Sequence, residues 1–178
     1  MSDIFSLIQQ INLLDLWDNT IELKRNQYLK VEGTVDTNLY FVSNGSLKIY
    51  VLDEQNENII RFGYKNNLIA SLDSFITEEP SDLYIQAIKK TQLKVIKKIT
   101  FMNLIESSKE NTIIWQRMLG DLMLQQMERE RDILTSSPIE RYKRVHARSP
   151  QLFQEIPNKH IASYLRMTPE TLSRIKKS

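Results

Sequence analysis

The sequence predicts an α+β chain, with antiparallel strands in its N-terminal part and helices alone in its C-terminal part. Three observations predict it. The apolar period changes from helical to two after Trp17 and returns to helical at Thr100. The short strand-like runs between those points are separated by polar turn segments. Charge is also segregated: 15 Lys/Arg face 19 Asp/Glu up to Pro138, and 9 face 3 beyond it, giving −4 and +6. With 178 residues and 21.0 kDa the chain can bury one moderate core and one small one.

From Ile4 to Trp17, the residues Ile4, Leu7, Ile8, Ile11 and Leu14 recur at helical spacing and predict a short amphipathic helix. Strands are expected at Ile21–Lys24, Leu39–Val42, Leu47–Leu52, Ile59–Tyr64, Leu83–Ile88 and Gln92–Ile96. In the third, Leu47, Ile49 and Val51 alternate with Lys48, Tyr50 and Leu52. Asn44-Gly45 suits a tight hairpin because both residues tolerate positive φ, and Asp53–Asn58 reads as a polar turn. Such a series of short strands fits a sandwich, barrel or β-roll. Asn111–Thr135, free of Pro, reads as one long helix with Ile114, Trp115, Met118, Leu119, Leu122 and Met123 on one broad face. That face either pairs with a second copy of the chain, through Trp115, Met118 and Leu122, or packs on its own β-rich unit. Ser137-Pro138-Ile139-Glu140 starts the next helix with a cap, a first-turn proline and a capping-box glutamate, and Pro150 marks its end near Ser149.

The composition excludes several functions. Without cysteine there is no disulfide, iron–sulfur cluster, thiolate zinc site or nucleophilic thiol. Two histidines, His146 and His160, lack the neighbouring carboxylates a metal site needs; His160 reads as a surface or phosphate-contacting residue. No Gly-rich phosphate loop, serine elbow or HExxH occurs, so no catalytic residue, metal or certain cofactor is expected and the chain does not read as an enzyme. Glu78-Glu79-Pro80-Ser81-Asp82 reads as a solvated acidic turn. An early acid and interspersed polar residues at the N-terminus do not fit a signal peptide, and no run spans a bilayer, so no membrane partner and a cytoplasmic location are expected.

The basic C-terminal charge suits a polyanion, since neutralised phosphates release counterions. A solubilising face is the plainer explanation of charge alone. The decisive stretch is Ile156–Lys177. Asn158 is placed to cap a short helix with Ile161, Ala162 and Leu165 inward, and the small Ala162 permits close helix crossing. Arg166-Met167 makes a turn, with Met167 inward. Thr168 then caps a second helix opened by Pro169, with Leu172 and Ile175 inward. Glu170, Thr171, Ser173, Arg174 and Lys177 are left on the outer face, where short polar, acidic and guanidinium groups suit base edges and phosphates of a DNA major groove. Lys159 and Arg166 are further candidate phosphate contacts.

With Glu32-Gly33, Leu39-Tyr-Phe-Val, Asn44-Gly45, Ile161-Ala-Ser-Tyr-Leu and Thr168-Pro-Glu-Thr-Leu-Ser-Arg-Ile, the sequence resembles the Crp/Fnr family of bacterial transcription regulators from about Leu14 to its end. The resemblance implies a cyclic-nucleotide-binding-like antiparallel β-roll over 1–110, a linker or dimerisation helix over 111–136 and a helix-turn-helix DNA-binding domain over 137–178. It implies that Glu170, Ser173 and Arg174 read an operator, that double-stranded DNA and a second copy are partners, and that RNA polymerase is a further one. Three departures stand out. The nucleotide-binding members hold the cyclic phosphate with Gly-Glu and, about ten residues on, Arg-Ser/Thr; here those places hold Ala70-Ser71 and Ser81-Asp82. Ordinary binding of cyclic AMP or cyclic GMP is therefore not expected, and the pocket, including Leu72, is left to an unknown small-molecule effector, or to none. Arg61 or Lys65 is a substitute cation that the sequence does not place. Arg166 stands at the usual turn glycine, and the sequence stops at Ser178, so the helix-turn-helix reads as wingless. The alternative is a small-molecule-binding or protein-interaction module with degenerate DNA binding.

Overall fold

The computed structural model describes residues 3–54 and 56–177. Gln55, in the predicted turn, and Ser178 lie outside the described residues. Helix α1 (Asp3–Leu13) precedes eight strands: β1 (Asn19–Leu23), β2 (Tyr28–Lys30), β3 (Leu39–Asn44), β4 (Ser46–Asp53), β5 (Asn56–Tyr64), β6 (Leu68–Ile69), β7 (Tyr84–Ala87) and β8 (Thr91–Ile96). A short helix α2 (Leu72–Thr77) sits between β6 and β7. The strands form two antiparallel four-stranded sheets in the orders β1-β8-β3-β6 and β2-β7-β4-β5. Leu23, Val42, Leu47, Ile49, Ile69, Ile85 and Leu93 form the buried cluster of this β-roll.

Asn44-Gly45 does not close a hairpin. β3 and β4 belong to different sheets, so the dipeptide is a corner at which the chain crosses from one sheet to the other. Only Gly45 has positive φ (93°), and a Cβ there would lie 2.4 Å from the Lys90 carbonyl oxygen. Close backbone approach, rather than turn type, explains this glycine. The tight hairpin is the β4–β5 connection, with Asp53 opposite Asn56 and Glu54 at φ 55°. β2, β6 and α2 carry no apolar period long enough to read from sequence. α1 ends at Leu13, so Leu14, expected to face inward, is exposed.

The helices α3 (Lys98–Glu106), α4 (Lys109–Leu134), α5 (Pro138–Arg148), α6 (Leu152–Glu155), α7 (Asn158–Tyr164) and α8 (Pro169–Ile175) follow. Ser108 caps α4 by accepting from the Asn111 amide. Asn111 and Gln10 exchange two side-chain hydrogen bonds (2.9 and 3.0 Å), which tie α4 to α1. The start of α4 packs on α1 and α3, and Trp115 contacts Phe75 and Phe101 edge-on.

The C-terminal helices share one apolar cluster with the outer face of the second sheet: Tyr50, Ile59, Phe62 and Ile88 join Val145, Leu152, Ile161 and Leu172. This is why the predicted alternation in β4 holds for one face only. Leu47 and Ile49 face the roll interior, but Tyr50 on the opposite face is also buried, at 1 % exposure, beneath the helical unit. Lys48, beside it, is buried too; it pairs with Glu57 and lies 4.5 Å from the Tyr50 ring centre.

Candidate functional site

α7 and α8 form the two-helix motif expected from the sequence. Ile161, Ala162, Leu165 and Leu172 are fully buried, and Met167 packs against them. Thr168 caps α8 by accepting from the Thr171 amide at 3.2 Å, and Pro169 occupies the first helical position. Asn158 is not the cap of α7: Pro157 is, and the Asn158 side-chain oxygen accepts from Lys176 Nζ at 2.9 Å, joining the two helices. Arg166 has φ 51°, the left-handed turn its position demands, held without glycine. Glu170, Ser173, Arg174 and Lys177 line one shallow exposed depression on α8, with Thr171 half-buried beside it. Lys159 and Arg166 are also exposed. Thr168 and the backbone amide of Glu170, foremost the latter, hold the Glu170 carboxyl below the ordinary range, so it is an acceptor at neutral pH.

Three of the basic residues counted toward the C-terminal charge are structural. Arg141, 9 % exposed, donates through Nε to the Leu165 carbonyl (2.8 Å) and through Nη2 to that of Arg166 (3.0 Å). Its Nη1 donates to the carbonyls of Thr135 (2.5 Å) and Ser136 (3.0 Å). One guanidinium thus fastens the turn between α7 and α8 to the α4–α5 junction. Arg144 and Arg148 both pair with Asp132, which is fully buried, and with Glu128. The +6 of the sequence therefore overstates the charge offered to a partner: these three cations are committed to partners within the chain.

His160 is not at the outer surface. It sits half-buried on the side of α7 packed against β5, and burial, followed by the cations Lys159 and Lys48, pushes its pKa down to about 4.

In the roll, the two serines aligned with the cyclic-phosphate contacts, Ser71 and Ser81, are buried and hydrogen-bonded to one another. Ser71 Oγ donates to Ser81 Oγ (3.2 Å) or to Asp73 (3.0 Å). Burial alone would raise the Asp73 carboxyl, but hydrogen bonds from Ser81, the Ser74 amide and Ser71 outweigh it and hold the carboxyl low. Lys30, 4 % exposed, spends its ammonium on the carbonyls of Val31, Ser81 and Leu83 at 2.9–3.1 Å. Asp82 is exposed. Only Ala70 and Leu72 of the predicted pocket residues line an open space: a cavity of about 540 Å³ bounded by β5, β6, α4 and the C-terminal helices.

Arg61 lines that cavity as well, which the sequence could not place. A bulge in β5 is the reason: Ile49 pairs with Arg61 and Tyr50 with Ile59, leaving Ile60 as the extra residue. Arg61 thereby shares the face of its cross-strand partner Ile49, which also lines the cavity. Lys65 is exposed and does not line it.

Trp115, Met118 and Leu122 line the same cavity from α4 and are half-buried, Trp115 and Met118 packing against the cluster of α1 and α3. The unpartnered apolar stripe of α4 is one position further round: Met123, Leu124 and Met127 are 68, 61 and 49 % exposed, beside Gly120.

The fold and these sites define a protein with a β-roll of the cyclic-nucleotide-binding type joined by one long helix to a helical unit. The chain matches the family of the cyclic nucleotide-binding domain over residues 20–108, half its length, and it belongs to that family. Among solved structures it is similar to a CooA mutant from Carboxydothermus hydrogenoformans (TM-score 0.71, 15 % identity, 96 % of this chain and 82 % of that one). It is also similar to CLP from Xanthomonas campestris, described as a c-di-GMP responsive global regulator (TM-score 0.67, 13 % identity, 97 and 90 %). A third is the sensor domain of the transcriptional regulator DNR from Pseudomonas aeruginosa (TM-score 0.58, 21 % identity, 76 and 90 %). At these identities the likeness establishes the shared fold. No curated protein matches the chain. Among the described residues no helix is long and apolar enough to cross a membrane.

Proposed function

We propose that this chain is a non-enzymatic, sequence-specific DNA-binding transcription regulator of the Crp/Fnr type, acting in the cytoplasm as a homodimer. The observation that carries the reading is the exposed face of α8, where Glu170, Ser173 and Arg174, with Lys177 just past its end, stand together along a capped helix packed on a buried partner helix. Arg174 suits the paired acceptors of a guanine edge, Glu170 suits a cytosine amino group, and Lys159, Arg166 and Lys177 suit phosphates. The gene-regulatory descriptions of CLP and DNR support the same direction. A second copy is accommodated by the stripe Gly120, Met123, Leu124 and Met127 on α4, whose three- and four-residue spacing fits helix pairing. Two recognition helices would then enter successive major grooves, and contact with RNA polymerase follows as the regulatory output. The closed Ser71–Ser81 network and the engaged Lys30 support a roll that does not hold cyclic AMP or cyclic GMP by the usual phosphate contacts.

Selection from a random duplex pool at moderate salt, with no added nucleotide, tests the reading. Enrichment of a two-fold symmetric site, with half-sites about one helical turn apart, is expected. Indifference to DNA in every duplex offered, with or without ligand in the β5–α4 cavity, overturns it.

A further inference from the structure

At the end of β2 the chain buries an ammonium group. The register of β2 against β7 shifts between Tyr28 and Lys30: Tyr28 lies opposite Gln86 and Lys30 opposite Ile85, which leaves Leu29 as the extra residue. Without that bulge Lys30 would share the outer face of Tyr28. With it, Lys30 shares the face of Ile85, which is fully buried in the roll. The Lys30 Nζ donates to the carbonyls of Val31 (3.0 Å), Ser81 (3.1 Å) and Leu83 (2.9 Å), which uses all three N–H groups of the ammonium. These carbonyls come from two stretches far apart in sequence, the loop between β2 and β3 and the segment that leads from α2 into β7. The same two stretches meet at further points. The Gly33 amide donates to the Ser81 carbonyl (3.0 Å) and the Ser81 amide to that of Thr34 (3.2 Å). The Asp36 amide donates to Ser74 Oγ (3.3 Å), which itself donates to the Glu79 carbonyl (2.5 Å). Burial pulls the Lys30 pKa below its ordinary value, while the charges of Asp73, Asp36, Asp82 and Glu32 favour the ammonium.

A buried ammonium is costly unless its hydrogen bonds are made, and here backbone oxygens alone make them. Carbonyls from separate segments that converge on one point are what the donors of a bound ligand satisfy; here the chain supplies the donor itself. We infer that Lys30 is a built-in tether that stands in for an effector at this end of the roll, its ammonium clamping the β2–β3 loop to the α2–β7 segment so that the roll is closed with no small molecule bound. The closed arrangement is then fixed by the sequence and not switched by a ligand at this place. The bulge is part of the device, because it alone turns the lysine stem toward the interior. The inference does not rest on DNA binding: it concerns the roll, and its test reads backbone protection.

The test is hydrogen exchange of the full chain, followed segment by segment by mass spectrometry. Lys30→Met keeps an apolar stem and removes the ammonium. It should speed exchange by about tenfold or more in residues 31–38 and 78–87, and leave β8 and α4 within about twofold of the wild type, as for a local opening. Lys30→Ala should do the same and also leave room for the missing atoms. Propylammonium, which carries those atoms, should restore protection in both segments; tetramethylammonium, equal in charge but without an N–H, should not. Cyclic AMP and cyclic GMP should add no protection to either segment of the wild type. Should both variants fail to fold, the wild type still decides. The isotope-labelled ammonium nitrogen of Lys30, assigned by its loss in Lys30→Arg, should give a slowly exchanging magnetic-resonance signal at neutral pH. The proposal is overturned by exchange in Lys30→Met that equals the wild type or rises alike over the whole chain, or by rescue with both cations or with neither. Protection of the wild type by a cyclic nucleotide, or a Lys30 ammonium that exchanges as fast as those of exposed lysines, overturns it equally.

Discussion

Arg141 and Arg174 lie in one small helical unit and carry the same charge, yet the structure uses them in opposite ways. Arg141 is buried and gives every arm of its guanidinium to a backbone carbonyl, two at the α7–α8 turn and two at the α4–α5 junction. Arg174 is exposed on α8 beside Glu170 and Ser173. The first consumes its charge to set the angle of the motif; the second keeps its charge available. What separates them is whether unpaired carbonyls lie within reach, a property of the fold around the residue and not of the residue itself. Arg144 and Arg148 belong with Arg141, their carboxylate partners Glu128 and Asp132 being on α4.

The largest effect is therefore expected at Arg141. Arg141→Met leaves four carbonyls short of a donor in a part-buried place, and the C-terminal unit should lose about 3–5 kcal/mol, a fall in melting temperature on the order of 10 °C. Thermal denaturation of the purified variant checks this; a melting point equal to wild type would mean that water replaces the guanidinium and that the clamp is dispensable.

Arg174→Ala should do the reverse. Stability should stay within about 0.5 kcal/mol of wild type, as for an exposed surface substitution, while discrimination at one base pair of each half-site should fall by about 1–3 kcal/mol. Competition binding with sites altered one position at a time measures it. If Arg174→Ala lowered affinity for all sequences alike, the residue would be a phosphate contact and the reading of bases would lie elsewhere on α8.

How far these roles were legible in the sequence follows from their range. The α7–α8 motif was readable because its signals are local: Thr168 and Pro169 start a helix, and Ile161, Ala162, Leu165 and Leu172 mark its buried side within fifteen residues. The strands with a clear period, β3, β4, β5 and β8, were readable too. Charge was not, because the +6 treats Arg141 and Arg174 as equals and their difference rests on α4 residues and turn carbonyls brought close by folding. Asn44-Gly45 suits a hairpin and a corner between sheets alike, and only the long-range pairing that puts β3 and β4 in different sheets, with the Lys90 carbonyl against Gly45, decides for the corner. Arg61 lay beyond reach because one bulged residue, Ile60, decides which side of β5 it takes.

Arg166 joins the two behaviours in one residue, its backbone bound and its side chain exposed. Its carbonyl accepts from Arg141, and its φ of 51° is strained for a residue with a Cβ. Arg166→Gly should relieve that strain and stabilise the unit by about 1 kcal/mol, raising the melting temperature by a few degrees. The same change should flatten the dependence of DNA affinity on salt by about one phosphate contact. A rise in stability without a change in salt slope would assign Arg166 wholly to the turn.

The smallest effect concerns the opposite side of α7, where His160 meets the roll. Its folded-state pKa, about 4, lies below the ordinary 6.5, first because burial disfavours the imidazolium and then because Lys159 and Lys48 repel it. Between those values the unfolded chain binds more protons than the folded one. Stability is thus fully present above pH 6.5 and is lost as pH falls through the window toward 4. Glu57 favours the charged form, and Arg25 adds to the repulsion. The interval from pH 6.5 to about 5 lies above the ordinary carboxylate range, which keeps most of the acidic titration out of the comparison. With the ring partly open to solvent, the loss over this interval should stay below about 1 kcal/mol. His160→Gln should remove it, leaving urea midpoints at neutral pH and about pH 5 equal. A pH dependence as large in the variant as in the wild type would move the titrating group away from α7 and leave the packing of this helix on β5 purely apolar.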